Sequence, residues 1–206
     1  MTPPFQTVVI FPSSDSKRLA SSGDMSLAAV DLAMSTGRAV LYPVYKGTYE
    51  RAVPDVEGPA AARDLRIAWS RDLGRSIDYL STRREIDSTR IAFYGTSLGG
   101  DAGIVLVPLE PRFKAAILQG SGLNRAATPD IDPINFAPRL HVPVLMLNGR
   151  YDFERPLETS QTPLFQLIGS VEKKHAVFES GHSLATGDVA SAVREWLDRY
   201  LGPPRR

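Results

Sequence analysis

One short stretch, residues 90–100 (RIAFYGTSLGG), restricts the folds open to this chain more than any other. Residues 91–94 are mostly apolar, which is typical of a strand buried on both faces of a parallel sheet. They lead into GTSLG at residues 95–99, which fits the pattern G-x-S-x-G, and a helix rich in small residues is predicted from about residue 98 to 109. A strand, a sharp turn and a helix in this order are what a nucleophile elbow requires, with Ser97 at its tip.

The same pattern also occurs in ordinary surface turns. Because glycine makes up about 7% of average sequences, G-x-S-x-G arises by chance in about one chain in fifteen of this length. The pattern alone therefore leaves a surface turn open as an alternative. The order of the elements in the rest of the chain has to decide between the two.

Apolar segments elsewhere in the chain predict further buried strands, at residues 7–11, 38–44, 115–119, 144–148 and 175–178. Helical periodicity predicts helices between them, near residues 26–35, 60–80, 158–168 and 189–201. Strands that alternate with helices indicate a parallel sheet with right-handed crossovers. We therefore predict an α/β fold, a three-layer α/β/α sandwich with a mostly parallel sheet of about six strands.

Length and composition exclude several classes of protein. At 206 residues the chain is predicted to form one domain, residues 1–206, and the loop at 120–141 is too short and polar for a large cap domain. The formal net charge of +1 gives no reason to expect a nucleic acid or membrane partner. The absence of cysteine excludes disulfides, thiolate metal ligands and a cysteine nucleophile. No apolar run has the length of a membrane span and no secretory signal is visible, so a cytoplasmic location is expected.

A serine nucleophile needs a base, and the chain has three histidines. Sites in open parallel sheets form beyond the carboxyl ends of the strands. His141 precedes a predicted strand and His175 begins one, so both belong at the opposite end of the sheet. His182 follows a predicted strand, in the loop at residues 179–183. We predict that His182 is the base, with an ordinary loop histidine as the alternative.

The same rule selects a carboxylate to orient the base. Asp152 lies just beyond the predicted strand at 144–148, where it can reach the Nδ1 side of His182. Glu154 is the nearby competitor, and Asp130 or Asp132 is a weaker one. An aspartate in such a loop can also be a plain turn residue.

Acyl transfer also requires donors for an oxyanion and a pocket for the substrate. The backbone N–H of Leu98 supplies one donor by position, and the second is expected from Ser13 or Ser14, after the first strand. Four aromatic side chains on loops at the carboxyl edge could line an acyl or aromatic pocket: Tyr45, Tyr49, Tyr151 and Phe153. Packing of the loops onto the sheet is the alternative for each of them.

The order Ser97, Asp152, His182 is that of the α/β-hydrolases. The chain resembles the α/β-hydrolase fold superfamily, near its dienelactone-hydrolase-like and prolyl-oligopeptidase-like branches. The segments that are similar to hydrolase-like domains attached to some bacterial serine/threonine kinases are AVLYPVYKGTYER at 39–51, DLGRSIDYL at 72–80 and VPVLMLNGRYD at 142–152. Two features depart from the full fold: the first strand here corresponds to its third, and the oxyanion loop FPSS at 11–14 has no glycine.

The resemblance implies that Ser97, Asp152 and His182 form a triad, that small-molecule esters are hydrolysed, and that no metal or organic cofactor takes part. Dienelactone hydrolases proper use cysteine, so that particular activity is not expected. We predict an open site suited to short-chain or activated esters. A peptidase acting on small peptides would use the same machinery. A catalytically silent sensory or interaction domain is the rival from another class, and the oligomeric state is left open.

Overall fold

The computed structural model describes residues 2–54, 58–124 and 128–205 of the chain. All of the described strands belong to one parallel sheet of six strands, in the order β2-β1-β3-β4-β5-β6. The strands are β1 (Phe5–Phe11), β2 (Ala39–Leu41), β3 (Ile86–Thr96), β4 (Phe113–Gln119), β5 (Val144–Gly149) and β6 (Lys173–Phe178). The α-helices are α1 (Ala28–Ser35), α2 (Pro59–Ser81), α3 (Leu98–Leu106), α4 (Pro133–Phe136), α5 (Thr162–Leu167) and α6 (Thr186–Leu201).

Helices cover both faces of the sheet, which confirms the predicted three-layer sandwich. Successive residues of a strand point to opposite faces, so each strand contributes to two cores. In β1, Val9 and Phe11 pack with α2, α3 and α5, whereas Val8 and Ile10 pack with α1 and α6. This is why the strands are apolar without alternation, as the sequence pattern predicted.

Helix α2 is continuous through Gly74 and buries one stripe of side chains against the sheet. Trp69 is fully buried, and its ring meets Phe11 edge-on at 4.9 Å between centroids. Leu73, Ile77 and Leu80 extend the stripe at three- and four-residue steps. The glycine therefore costs some helix propensity without ending the helix.

Two of the differences between the predicted and the observed elements have a clear cause in the sequence. The strand predicted at 38–44 is only Ala39–Leu41, because Pro43 has no N–H to donate to a ladder. The helix predicted at 158–168 begins as a π-helical turn at Leu157–Gln161 and becomes α-helical only in α5. Pro163 accounts for this irregularity, since it cannot donate to the carbonyl four residues before it.

The strand order fixes where a site can form. The chain passes from β1 through α1 to β2 on one side of β1, and later returns to β3 on its other side. A crevice therefore opens at the carboxyl ends of β1 and β3, at the point where the order reverses. The loops that follow β3, β5 and β6 all emerge at this same edge. None of the described helices is long and apolar enough to cross a membrane.

Candidate active site

Ser97 occupies a strained turn between β3 and α3. Its backbone has φ 53° and ψ −109°, and the only other described non-glycine residue with positive φ is Tyr49. Such a conformation costs about 1–3 kcal/mol and persists only where the surrounding structure imposes it. Here the Ser97 N–H donates to the Gln119 carbonyl at 2.8 Å, and the Asp101 N–H donates to the Ser97 carbonyl at 2.9 Å. These bonds fix the turn with the serine side chain at the carboxyl edge.

The two glycines of the pattern are required by close backbone contacts. A Cβ added at Gly95 would lie 2.2 Å from the Gly99 carbonyl oxygen. A Cβ added at Gly99 would lie 2.2 Å from the carbonyl oxygen of Phe11, at the end of β1. Both distances are far inside van der Waals contact, so any side chain would force the turn apart. The G-x-S-x-G sequence is therefore part of a packed elbow and not a surface turn.

His182 forms hydrogen bonds from both of its ring nitrogens. Its Nε2 lies 2.8 Å from Ser97 Oγ and its Nδ1 lies 2.7 Å from Asp152 Oδ2. With the proton on Nδ1 donated to the carboxylate, Nε2 is free to accept from the serine hydroxyl. The ring lies beside Gly120, where an added Cβ would be 3.2 Å from His182 Cε1. The imidazole is thus held between Ser97 and Asp152.

Asp152 is anchored from both of its oxygens. Its side chain is fully buried, and Oδ1 accepts the backbone N–H groups of Glu154 and Arg155, each at 2.9 Å. Oδ2 faces His182. The loop sequence thus forms a tight turn around the carboxylate, which leaves one oxygen for the imidazole.

The competing carboxylates are placed differently. Glu154 is about half exposed, and its Oε2 is 3.8 Å from His182 Nε2, on the side of the ring that faces the serine. Asp132 caps α4 by accepting the Ile134 N–H at 3.2 Å, and Asp130 lies 3.9 Å from Arg63. Among these acids, Asp152 is the one that lies on the Nδ1 side of the ring, with Oδ2 at 2.7 Å from Nδ1.

The other two histidines lie away from this edge. His141 is exposed, before the amino end of β5. His175 lies within β6, with its ring 5.4 Å from that of Phe165, and burial lowers its pKa. The Ser97 hydroxyl therefore meets His182 alone among the three histidines.

The predicted oxyanion donors lie at the start of α3 and on the loop after β1. The Leu98 N–H is the first of α3 and has no acceptor within the helix. The contact of Gly99 with Phe11 brings the β1 loop against this helix start. Ser13 follows in extended conformation, with Oγ donating to Asp15 Oδ2 at 3.2 Å, and Ser14 opens an exposed 3₁₀ turn. Leu98 with Ser13 or Ser14 as oxyanion donors stays a prediction.

The four aromatic residues predicted to line a pocket fall into three groups. Tyr45 is fully buried and stacks on Phe11 at 4.1 Å, so its prediction as a substrate contact is wrong: its loop turns the ring into the core. Tyr49 is 3% exposed and lines a cavity at the carboxyl edge. Tyr151 and Phe153 are exposed on the Asp152 loop, at 66% and 83%.

A cavity of about 330 Å³ lies beside the elbow, and its lining includes Tyr42, Tyr94 and Gln119, which were not among the predicted site residues. Tyr94 Oη donates to Gln119 Oε1 at 2.5 Å, and the hydroxyls of Tyr42 and Tyr49 are 2.8 Å apart. Gln119 ends β4, so the carboxyl-end rule that found Asp152 could also have found it. Ser13 and Thr96, the residue before Ser97, also line the cavity, which places it next to the elbow.

The part of the chain that the structure describes offers no cluster suited to a metal ion. Across residues 2–54, 58–124 and 128–205, no group of three or more His, Asp or Glu side chains is arranged to hold one. The hydrogen-bonded chain Ser97–His182–Asp152 is the arrangement of reactive side chains at this edge. It can move a proton from the serine hydroxyl to the imidazole.

Comparison with solved structures gives the class of fold. An esterase of Pyrococcus furiosus is 16% identical with a TM-score of 0.74, over 96% of this chain and 84% of that one. Acetyl xylan esterase 1 of a Thermoanaerobacterium species is 18% identical with a TM-score of 0.70, over 95% and 75%. A candidate dienelactone hydrolase of Klebsiella pneumoniae is 17% identical with a TM-score of 0.71, over 98% and 88%. The chain therefore has the α/β-hydrolase fold.

The predicted resemblance to that superfamily is thus confirmed at the level of fold. The similar structures include esterases and a dienelactone-hydrolase-like protein, at identities that carry no information about substrate. No protein-family model and no curated protein sequence matches the chain.

Proposed function

We propose that the protein is a serine hydrolase that cleaves carboxylic esters through an acyl-enzyme on Ser97. The observation that carries the proposal is the pair of hydrogen bonds from His182, 2.8 Å to Ser97 Oγ and 2.7 Å to Asp152 Oδ2, on a strained elbow. These are the contacts that a serine nucleophile, a general base and an orienting acid require. The esterases among the similar structures support the same class of reaction.

In the first half-reaction, Ser97 Oγ attacks the ester carbonyl carbon as its proton moves to His182 Nε2. The carbonyl π electrons move to the oxygen, and the Leu98 N–H, with Ser13 or Ser14, stabilises that oxyanion. Asp152 stabilises the imidazolium and keeps the Nδ1 proton in place. Collapse of the tetrahedral intermediate breaks the C–O bond to the alcohol, which leaves with the proton from Nε2.

In the second half-reaction, water replaces the alcohol. His182 Nε2 takes a proton from the water as its oxygen attacks the acyl carbon. The new tetrahedral intermediate then expels Ser97 Oγ, which recovers its proton from Nε2. The products are the carboxylic acid and free enzyme. No redox step or external co-reactant besides water is involved.

The small cavity beside the elbow favours short acyl or alcohol groups. Its volume of about 330 Å³ is at the lower end for small-molecule sites, and its lining includes Ser13, Tyr49 and Gln119. A cavity of this size leaves little room for a long alkyl chain. Short-chain or activated esters are therefore the proposed substrates.

Acyl-chain length tests this function directly. We expect kcat/KM for p-nitrophenyl acetate or butyrate to exceed that for the palmitate ester by at least about tenfold, or about 1.4 kcal/mol in transition-state stabilisation. Initial rates with each ester, corrected for the rate in enzyme-free buffer, measure this. A preference for palmitate would contradict the proposed size of the site, and no hydrolysis of any ester would contradict the proposed function.

The rival, a catalytically silent interaction domain, has no need of the contacts from His182 to Ser97 Oγ and Asp152 Oδ2. The strain at Ser97 does not separate the two functions, because the packed elbow imposes it in either case. A peptidase acting on small peptides would use the same three side chains. The small volume of the cavity, about 330 Å³, is what favours simple esters over peptides in our proposal.

A further inference from the structure

A buried ion pair joins the loop of the proposed acid to the helix of the proposed nucleophile. Arg155 Nη2 donates to Asp101 Oδ2 at 2.6 Å, and the two side chains are only 17% and 12% exposed. Burial raises the pKa of the Asp101 carboxyl, which the bond from Arg155 opposes. Such a pair is a costly arrangement unless its geometry is good, and it contributes little net stability over an apolar substitute. Its presence beside the elbow therefore calls for a specific role.

Each member of the ion pair is linked by its backbone N–H to a residue of the hydrogen-bonded chain Ser97–His182–Asp152. Asp101 lies one turn after Ser97 on α3, and its N–H donates to the Ser97 carbonyl at 2.9 Å. The Arg155 N–H donates to Asp152 Oδ1 at 2.9 Å. The backbone N–H that anchors the carboxylate of Asp152 therefore belongs to the same residue whose side chain binds Asp101.

Neighbouring contacts make this connection stiff. Gly122 donates its N–H to Asp101 Oδ1 at 3.3 Å, and a Cβ at Gly122 would lie 2.9 Å from Arg155 Cδ. Gln161 Nε2 donates to the carbonyls of Gly149 and Arg155, at 2.8 and 2.7 Å, and so closes the loop at both ends. The ion pair is the side-chain contact that ties this closed loop to α3.

We propose that Arg155 and Asp101 are positioning residues: their ion pair sets the acid loop against the nucleophile helix. The role rests on the proposed function for its effect on catalysis. Neither side chain touches the reacting atoms. The pair acts through Asp152 on one side and through the Ser97 turn on the other.

The two variants leave different charges behind. Asp101→Asn leaves Arg155 facing Asp152 and Glu154, whereas Arg155→Met leaves Asp101 facing Arg66. The other charged groups that face His182 are Asp152 at 2.7 Å and Glu154 at 3.8 Å, and both variants retain them. A merely structural role would lower Tm in the variants without changing the hydrogen bond between His182 Nδ1 and Asp152 Oδ2.

Nuclear magnetic resonance provides the readout that does not depend on activity. The chain has three histidines, so the low-field signal of the hydrogen-bonded Nδ1–H can be assigned to His182 with His182→Gln. We expect this signal to move or disappear in Asp101→Asn and in Arg155→Met, and to stay in place in Arg150→Met. An unchanged signal in Asp101→Asn and Arg155→Met would overturn the proposal. This result stands whether or not the protein hydrolyses esters, so it separates failure of the positioning role from failure of the proposed function.

Kinetics provide the second readout. Either variant should lower kcat for p-nitrophenyl acetate by about 10–100-fold with KM changed less than about threefold, because misplacement of the proposed base by a fraction of an ångström is costly. Arg155→Lys, which keeps the charge, should recover part of the rate. The matched control is Arg150→Met: Arg150 lies on the same loop, in an exposed pair with Glu179, and its loss should leave kcat within about twofold.

Thermal unfolding tests whether a loss of activity in these variants reflects only a loss of stability. If a single variant fails to fold, the double variant Asp101→Asn with Arg155→Met removes the uncompensated charge and should recover most of the lost Tm. Its kcat should remain well below that of the wild type. Full recovery of kcat along with Tm would show that the pair only supports the fold, and would contradict the positioning role.

Discussion

Ser97→Ala is expected to lower kcat for p-nitrophenyl acetate by about 10⁵–10⁶-fold, the largest effect of any single change considered for this protein. The reason is the loss of the only atom proposed to form the acyl bond. Alanine keeps the Cβ and the φ of 53°, so the elbow retains its strain and its packing. The Tm should therefore stay within about 2 °C of the wild-type value. Steady-state kinetics and thermal unfolding of the same preparation measure both quantities.

The matched control for this variant is Ser183→Ala. Ser183 is exposed and adjacent to His182, but its hydroxyl lies outside the hydrogen-bonded chain. Its loss should leave kcat within about twofold of wild type. Turnover that survives in Ser97→Ala and falls in the control would mean that another group carries the reaction.

Asp152→Asn is expected to lower kcat by about 10⁴-fold. Asp152 Oδ1 accepts two backbone N–H groups, so asparagine must keep its single oxygen there and turn its NH₂ toward His182 Nδ1. Two donors cannot face each other, so the imidazole shifts its proton to Nε2. Nε2 then has no lone pair for the Ser97 proton. The variant thus removes the base by changing its tautomer, with little change in shape.

Glu154→Gln is the control for that experiment. Glu154 is about half exposed and lies on the Nε2 side of the ring. We expect its loss to change kcat by less than about threefold, because an exposed charge of this kind contributes less than about 1 kcal/mol. If Glu154→Gln proved as damaging as Asp152→Asn, the assignment of the acid would be wrong.

Much of this arrangement could be predicted from the sequence because parallel strands end at a common edge. Ser97, Asp152 and His182 each follow a strand that is apolar enough to recognise, and their order in the chain is that of a known fold. The glycines at 95 and 99 could be read as a tight turn. The reason that glycine is required at both positions is the close approach of the Gly99 and Phe11 carbonyl groups, which only the folded structure reveals.

The features that could not be predicted from the sequence depend on long-range packing. Tyr45 follows a strand just as Asp152 does, yet its ring turns inward onto Phe11, and loop position alone does not reveal that direction. The Asp101–Arg155 pair joins residues far apart in the chain and has no local signature. The residue that completes the oxyanion site depends on the path of the loop after β1, where no glycine marks the donor.

The most direct test of the central claim, that Ser97 is made nucleophilic by His182 and Asp152, is covalent labelling with a fluorophosphonate followed by peptide mass spectrometry. We predict one phosphonyl group per chain, on the peptide that contains Ser97, with labelling abolished in Ser97→Ala and slowed at least about 10³-fold in His182→Gln. Folded wild-type protein that takes up no label, or takes it up on a different residue, would contradict the account.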